Sequence, residues 1–297
     1  MSGRSLGRAS ALVALAACCF GSISVLTVVG TRAGVSLPTL LAWRYLPGAL
    51  LLLLAAGPTR ARVAPRVALR ALVVGGLGQA LVSFVTLSAL RWITAATLGF
   101  LFYTYPAWVA LFAALRGTER VDRRRGIALA LSFSGIALIV GAPAGGSTAG
   151  GTVAWPGVLL GLAAALIYAL YVPFLHGLEA ETSPAVASAY VTGGAGVAFL
   201  AAALGTGTFA ADFTPPVWAA IATLSLLCTF VGFLAFLRGL AVLGPVRTAI
   251  VSTIEPFWTA ILGAALLAQG LTGATLAGGA LIAAAVMLLQ LPARRAA

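Results

Sequence analysis

The chain has 297 residues, of which 61% are hydrophobic and 8% are charged, and its mean hydropathy is +1.09. A water-soluble core of this size does not need so many apolar side chains, so the composition excludes an ordinary soluble protein. The formal net charge of +12 comes from 18 arginines and no lysine. A nucleic-acid-binding protein and a membrane protein can both carry such a charge, so the positions of the arginines must distinguish them.

Ten apolar stretches are long enough to cross a bilayer, since a spanning helix needs about 20 mainly apolar residues. They are apolar on every face and rich in Ala, Leu and Gly, whereas the strands of a membrane barrel would alternate polar and apolar residues. The sequence therefore predicts an all-α integral membrane protein with ten transmembrane helices. In chain order, the predicted spans 1 to 10 are roughly 9–29, 37–56, 67–89, 94–115, 124–141, 156–175, 184–204, 216–237, 246–268 and 271–291.

Span 1 resembles a signal peptide at its start, because Arg4 and Arg8 precede an apolar run. The run continues past Cys18 to about Val29, which is long enough to span the membrane, and nine further spans follow. We therefore expect it to be kept as the first helix.

Span 2 carries an arginine, Arg44, about seven residues in from its predicted start. An ionisable group at the centre of a span costs about 2.5 to 3.5 kcal/mol on insertion scales, so it should be rare and purposeful. As a substrate ligand, Arg44 would offer a planar fork that matches a carboxylate. As a structural or gating residue, it would bond to helix ends and loop carbonyls.

Spans 4 and 9 show that the chain contains its own sequence twice. Residues 104–110 read TYPAWVA, and about 150 positions later residues 254–260 read IEPFWTA. Pro106 and Pro256 each remove a backbone donor, so we expect them to kink these helices in mid-span and to have a gating or structural role.

Each copy of the repeat contains five spans. Because five is an odd number, the second copy is inverted in the membrane. Inverted repeats with proline-broken helices near mid-depth are typical of secondary transporters, which hold the substrate where the repeats meet. The predicted division is a first five-helix repeat at 1–141, a linker at 142–155 and a second, inverted repeat at 156–297.

Glu255 is the only acidic residue that the sequence places deep within a span. It lies about eight residues inside span 9, roughly 12 Å along the helix, which is too deep for a short side chain to reach the interface. It can exchange a proton or accept the ammonium group of an amino acid. Alternatively, it repairs backbone bonding around Pro256 or holds two helices together. We favour a role in a substrate cavity.

Aromatic and polar side chains at similar depth in the other spans complete a predicted binding cavity. An apolar, aromatic pocket with a few polar groups suits a neutral amino acid or a similar metabolite. The predicted substrate-binding residues are Gln79, Ser83, Tyr103, Tyr105, Tyr168, Tyr171, Thr229, Phe233, Ser252, Glu255 and Trp258.

The arginines sort by alternate loops, which fixes a predicted orientation. With both termini in the cytoplasm, only Arg32 and Arg91 lie outside and Arg44 lies within a span. This bias is the positive-inside signal, and a nucleic-acid surface would not show it, so we expect no nucleic-acid partner. The arginines on the predicted cytoplasmic side are Arg4, Arg8, Arg60, Arg62, Arg66, Arg70, Arg116, Arg120, Arg123, Arg124, Arg125, Arg238, Arg247, Arg294 and Arg295.

The residue inventory argues against an intramembrane enzyme, a metal site and a cofactor. A zinc peptidase needs two histidines on one helix face, and the chain has only His176, near the end of span 6. Cys18, Cys19 and Cys228 lie inside predicted spans, where they are most simply small apolar residues. A nucleotide-binding loop needs a lysine, so this chain is not a primary pump.

The organisation of the chain resembles the drug/metabolite transporter superfamily, and within it the EamA-like ten-helix transporters of the YddG-type amino-acid exporter branch. The resemblance depends on the duplicated five-helix unit, on Arg44, on residues 103–108 leading to Glu119, and on residues 254–258. One difference is Gln269, which stands where the family usually repeats the trailing glutamate. Because the family keeps an arginine at the position of Arg44 whatever the substrate, the resemblance implies a structural or gating role for it.

These observations predict a secondary transporter of small metabolites that works by alternating access. The resemblance implies export from a bacterial inner membrane, commonly of neutral or aromatic amino acids. The alternatives are export of another metabolite or drug, such as a purine or a sugar derivative, and a channel-like pore. We expect a multi-pass protein of the bacterial inner membrane, with lipid and a small-molecule substrate as partners, as a monomer or weak dimer.

Overall fold

The computed structural model describes residues 3–57, 63–116, 123–141 and 154–290, which form helices and contain no strand. The observed bounds are Gly3–Arg32 for span 1, Leu37–Ala56 for span 2, Pro65–Arg91 for span 3, Ala95–Leu115 for span 4, Arg123–Gly141 for span 5, Trp155–Glu181 for span 6, Pro184–Gly205 for span 7 and Gly273–Gln290 for span 10. Between spans 7 and 10 lie the helices Pro215–Ser252 and Ile254–Leu267.

Several sequence features lie outside the described residues. They are the predicted linker at positions 142–153, Glu119, Arg60, Arg62, Arg120, Arg294 and Arg295, together with the side chain of Arg4.

Spans 8 and 9 are separated by a sharp bend that lies within the gap predicted at 237–246. Pro215–Ser252 is a single 38-residue helix with one non-helical residue, Gly244, at φ 72° and ψ 169°. Thirty-eight helical residues would extend about 57 Å, nearly twice the hydrocarbon thickness, so this helix cannot be one span. Gly244 tolerates the left-handed backbone at the bend, and Pro245 follows it. Span 8 therefore ends at Gly244, and span 9 runs from Pro245 through Ile254–Leu267.

Spans 2 and 7 begin with the same local signals, as expected of repeated sequences. The Ser36 hydroxyl accepts a hydrogen bond from the Thr39 amide, and the Ser183 hydroxyl accepts one from the Val186 amide. Each serine is followed by a proline in the first turn, where the missing N–H has no intrahelical partner to lose.

The two repeats pack with a reciprocal set of contacts. Span 1 packs on spans 8 and 9, and span 6 packs on spans 3 and 4; likewise span 2 packs on span 8, and span 7 on span 3. Spans 5 and 10 pair with each other through glycines. A Cβ added to Gly135 would lie 2.6 Å from the Gly278 carbonyl oxygen, and one added to Gly278 would lie 2.6 Å from the Gly135 carbonyl oxygen. This reciprocity is what a two-fold relation between inverted repeats produces.

Spans 3 and 8, which are equivalent in the two repeats, each contain a π-helical segment, Ala71–Gly75 and Thr223–Val231. A π turn interrupts the regular helical ladder and frees a carbonyl. In span 3 the Tyr171 hydroxyl donates to the Gly75 carbonyl at 2.6 Å, and in span 8 the Thr229 hydroxyl donates to the Leu224 carbonyl at 2.9 Å. Side chains therefore satisfy both interruptions.

Candidate substrate site between the repeats

Spans 4 and 9 are both discontinuous helices. Span 4 is helical from Ala95 to Phe102 and again from Tyr105, and span 9 is interrupted at Thr253. The Thr104 hydroxyl donates to the Leu101 carbonyl at 2.7 Å, and the Thr253 hydroxyl donates to the Ile250 carbonyl, also at 2.7 Å. In each repeat, the first half-helix thus ends with a threonine whose hydroxyl donates to the carbonyl three residues earlier.

The break in each helix lies within one turn before its proline, where the sequence analysis expected Pro106 and Pro256 to interrupt the span. Each proline lies in the first turn of the half-helix that begins after the break, at Tyr105 in span 4 and at Ile254 in span 9. Proline has no N–H to donate to the carbonyl four residues earlier, which is Phe102 in span 4 and Ser252 in span 9. The helix is therefore broken rather than bent at these positions.

Tyr103 connects the two breaks. Its side chain is buried, and its hydroxyl donates to the Ser252 carbonyl at 2.6 Å and to Glu255 Oε2 at 3.0 Å. Glu255 stands in the first turn of its half-helix, where the positive end of the helix dipole stabilises a carboxylate.

The carboxyl group of Glu255 is left with unused hydrogen-bonding capacity. A phenolic hydroxyl has one hydrogen to donate, and the shorter of its two contacts is to Ser252. Among the described residues, no other side chain donates to the Glu255 carboxyl group and no basic residue forms an ion pair with it. The carboxyl group can therefore accept a cationic group or exchange a proton.

Tyr105 and Tyr168 stand next to this pair, at the interface of spans 4 and 6. Their ring centroids are 4.8 Å apart at 81°, and Phe102 contacts both rings, at 5.9 and 5.3 Å. Tyr105 also contacts Tyr103 edge-on at 6.3 Å. We call Phe102, Tyr103, Tyr105 and Tyr168 the aromatic cluster.

Two hydroxyls of the aromatic cluster remain available to a ligand. Tyr105 and Tyr168 are half-buried, and in the part of the chain that the structure describes neither hydroxyl has a hydrogen-bond partner. The site therefore offers one carboxyl group and two unused hydroxyls against aromatic rings.

A second polar group lies on spans 2, 3 and 8. The Tyr45 and Ser83 hydroxyls are 2.7 Å apart, and the Gln79 amide donates to both, at 3.2 and 3.1 Å. Arg44 Nε donates to the Thr229 hydroxyl at 3.2 Å, and the Arg44 guanidinium lies 4.6 Å from the centre of the Tyr45 ring. We call Arg44, Tyr45, Gln79, Ser83 and Thr229 the polar cluster.

Three of the predicted site residues make other contacts. Trp258 donates from its indole nitrogen to the Ser22 hydroxyl of span 1 at 3.1 Å, and Phe233 packs edge-on against Phe20 of span 1 at 5.5 Å. The third, Tyr171, bonds to the π turn of span 3.

The structure thus brings Tyr103, Tyr105, Tyr168, Ser252 and Glu255 into one group, and Gln79, Ser83 and Thr229 into another. Sequence reasoning missed Phe102 and Tyr45. Tyr45 directly follows Arg44, and Phe102 directly precedes Tyr103, so adjacency to residues already selected was the available signal.

Comparison with known proteins gives a family match over both halves of the chain. The model of the EamA-like transporter family matches residues 8–141 and again residues 155–291, so each match covers five spans. One solved crystal structure is similar over 94% of this chain and 95% of its own, with 19% sequence identity and a TM-score of 0.61. At that identity the likeness is one of fold. No curated protein matches the chain.

Proposed function

This chain belongs to the EamA-like transporter family, and on that premise we propose that it exports neutral or aromatic amino acids by alternating access around a site between its two repeats. Membership makes it a membrane transporter of small molecules rather than an enzyme. The amino-acid substrate, the outward direction and the alternating-access mechanism are the steps that we add.

The observation that carries this proposal is the contact of Tyr103 with Glu255 across the two broken spans. Discontinuous helices supply binding groups where repeats of a transporter meet. The Glu255 carboxyl group, with its unused hydrogen-bonding capacity, is the acceptor for a substrate ammonium group. While that ammonium is bound, the Tyr103 hydroxyl hydrogen stays on the Ser252 carbonyl, so the break in span 9 remains bonded.

The aromatic cluster supports an apolar or aromatic substrate side chain. The rings of Phe102, Tyr105 and Tyr168 provide faces and edges for a hydrophobic group. Their negative faces also attract a cation, so the ammonium group gains from the same rings. The free hydroxyls of Tyr105 and Tyr168 add the few polar contacts that orient a ligand in an otherwise apolar pocket.

The reciprocal packing supports alternating access. A rocking of the repeat at 1–141 against the repeat at 156–297 would exchange contacts between repeats, such as that of Tyr103 with Glu255, while the helices themselves persist. The π turns in spans 3 and 8 already interrupt the helical ladder, so bending there breaks fewer hydrogen bonds. The arginine bias supports an orientation with both termini in the cytoplasm, in what we propose is a bacterial inner membrane.

The experiment is transport by the purified protein in liposomes. Labelled L-phenylalanine, L-alanine, a purine and a sugar are compared, with and without a pH gradient. We expect saturable uptake of the amino acids and acceleration of labelled uptake by unlabelled amino acid inside the vesicles. Such counterflow requires a carrier, so its absence despite flux would favour a pore. Transport of the purine or the sugar alone would refute the amino-acid substrate.

A further inference from the structure

Arg44 is a buried cation within span 2. Its side chain is 5% exposed, and it lies seven residues after the first residue of the helix, Leu37, or roughly 10 Å along the axis. A charge at such a position is costly unless other groups pair with it.

The neighbours of Arg44 orient its guanidinium but do not neutralise it. Nε donates to the Thr229 hydroxyl, which itself donates to the Leu224 carbonyl. The Tyr45 ring lies under the guanidinium, and its plane is 8° from that of Phe199 at 5.9 Å, so the ring is held in place. Thr229 is a neutral acceptor for one N–H of a group that has several.

No acidic residue pairs with Arg44 in the described ranges. Of the four carboxyl groups there, Glu181 is paired with Arg70, Glu179 contacts His176, Glu255 is bonded to Tyr103, and Asp212 is exposed and forms no ion pair. The two terminal nitrogens of Arg44 likewise have no hydrogen-bond acceptor among the residues that the structure describes.

Arg124 shows what an arginine bound to a helix end looks like in the same protein. Its Nε donates to the Leu288 carbonyl in the last turn of span 10, at 2.6 Å. Arg44 has no such carbonyl in the described part of the chain, although the structural role predicted from sequence requires one. Its terminal nitrogens therefore remain free for a ligand.

We infer that Arg44 binds the carboxylate of the transported substrate. A guanidinium presents parallel N–H groups that match the two oxygens of a carboxylate. In the described part of the chain, no second basic side chain accompanies Arg44 in the polar cluster. A monovalent carboxylate therefore balances its charge, whereas a phosphate dianion would leave a buried negative charge uncompensated.

This inference rests on the proposed transport function and narrows its substrate class. Among the described residues, Arg44 is the only charged side chain that is buried, and it does not pair with Glu255 of span 9. An amino acid carries the carboxylate that complements Arg44. A purine or a neutral sugar carries no carboxylate.

The test compares a carboxylate with its neutral amide on purified protein. The ligands are 3-phenylpropionate and 3-phenylpropionamide, and the readout is the melting temperature as a function of ligand concentration. We expect the carboxylate to stabilise the wild type at lower concentration than the amide. Arg44→Gln should abolish this preference, with a loss of at least about tenfold in apparent carboxylate affinity, as expected when a charged hydrogen bond is removed.

Two further variants separate binding from folding. Arg44→Lys keeps the charge but not the fork, so it should keep part of the carboxylate preference. Arg32→Gln removes an exposed arginine at the end of span 1 and should leave the preference unchanged. If wild-type protein responds equally to the two ligands, or if folded Arg44→Gln and Arg44→Lys both keep the full preference, the inference is wrong.

Transport in liposomes distinguishes failure of this inference from failure of the proposed function. The competitors of labelled L-phenylalanine are unlabelled L-phenylalanine and phenethylamine, which lacks the carboxylate. Suppose that the wild type transports L-phenylalanine, and that Arg44→Gln prefers L-phenylalanine to phenethylamine as a competitor as strongly as the wild type does. The carboxylate site is then refuted, and the amino-acid carrier stands. If L-phenylalanine is not transported, while 3-phenylpropionate still binds through Arg44, the amino-acid proposal fails and the carboxylate site stands.

Discussion

The hydroxyl group of Tyr103 lies 3.0 Å from Oε2 of Glu255, and the two residues belong to the broken spans of opposite repeats. The same hydroxyl is 2.6 Å from the Ser252 carbonyl, which ends the first half of span 9. One side chain of the first repeat thus contacts both halves of the broken helix in the second. A movement of one repeat against the other would therefore also change the surroundings of the Glu255 carboxyl group.

Glu255→Gln tests whether the carboxyl group takes part in transport. Glutamine keeps the shape and accepts a hydrogen bond from Tyr103, so the fold should be nearly intact. If a charge or proton on Glu255 serves transport, the rate in liposomes should fall at least about tenfold, as for the loss of a charged contact, or lose its pH dependence. Glu255→Ala is the matched comparison. A normal rate and pH profile in Glu255→Gln, with a lower melting temperature in Glu255→Ala, would leave Glu255 a purely structural role.

Tyr103→Phe removes the hydroxyl and keeps the ring. Loss of its bonds to Ser252 and Glu255 should lower the free energy of unfolding by about 0.5–1.5 kcal/mol. Tyr168→Phe is the control, because the Tyr168 hydroxyl has no partner among the described residues and its removal should cost little stability. Thermal unfolding of the two purified variants gives the comparison. Equal melting temperatures would show that the Tyr103 contacts do not stabilise the fold.

Tyr105→Ala should weaken substrate binding. Tyr105 is the counterpart of Glu255 in the sequence repeat, and its half-buried ring packs on Tyr168. Loss of an aromatic contact between Tyr105 and the substrate ring should cost about 0.5–1.5 kcal/mol of binding free energy beyond area burial. That cost corresponds to a several-fold rise in KM for labelled L-phenylalanine. Phe233→Ala changes an aromatic residue that packs on span 1, so its KM should stay close to wild type. A larger rise in KM for Phe233→Ala than for Tyr105→Ala would indicate that the substrate binds nearer to span 8.

Gly135→Ala should destabilise the pairing of spans 5 and 10. The added Cβ would lie 2.6 Å from the Gly278 carbonyl and 2.7 Å from Ile282 Cγ1, so the two helices must separate. Overpacking of this kind costs roughly 1–3 kcal/mol. Gly126→Ala is the control in the same helix. Among the described residues, no atom lies within 4 Å of a Cβ added there, so this change should be neutral or slightly stabilising. The melting temperatures of the two variants decide the matter, and a Gly135→Ala protein as stable as Gly126→Ala would contradict the close contact.

The orientation can be tested with single cysteines in a cysteine-free background. The arginine bias predicts that residues 116–125 are cytoplasmic and that the linker at 142–155 is outside. In intact cells, an impermeant thiol reagent should label Gly146→Cys and not Arg123→Cys. The opposite labelling pattern would overturn the inference from the arginines.

The transmembrane character and the duplication could be predicted from sequence because both are local properties. The bilayer requires each span to carry its own run of apolar residues, so the spans are visible one by one in the sequence. The recurrence of TYPAWVA as IEPFWTA marks the repeat without any knowledge of contacts. The isolated acid in the second copy selected Glu255, and closeness to Pro106 along the chain selected Tyr103 and Tyr105.

The tertiary structure alone decided how these residues are used. The helices break at Tyr103–Thr104 and at Thr253, within one turn before the prolines, and threonine side chains and Tyr103 bond to carbonyls beside the breaks. Tyr171 and Thr229 bond to carbonyls of the two π turns, and no hydropathy pattern encodes such partners. Likewise, that Arg44 has no acidic partner among the described residues becomes visible only when spans 2, 3 and 8 are packed together. Hydropathy reports where each helix lies along the chain, whereas hydrogen bonds between residues about 150 positions apart depend on how the two repeats come together.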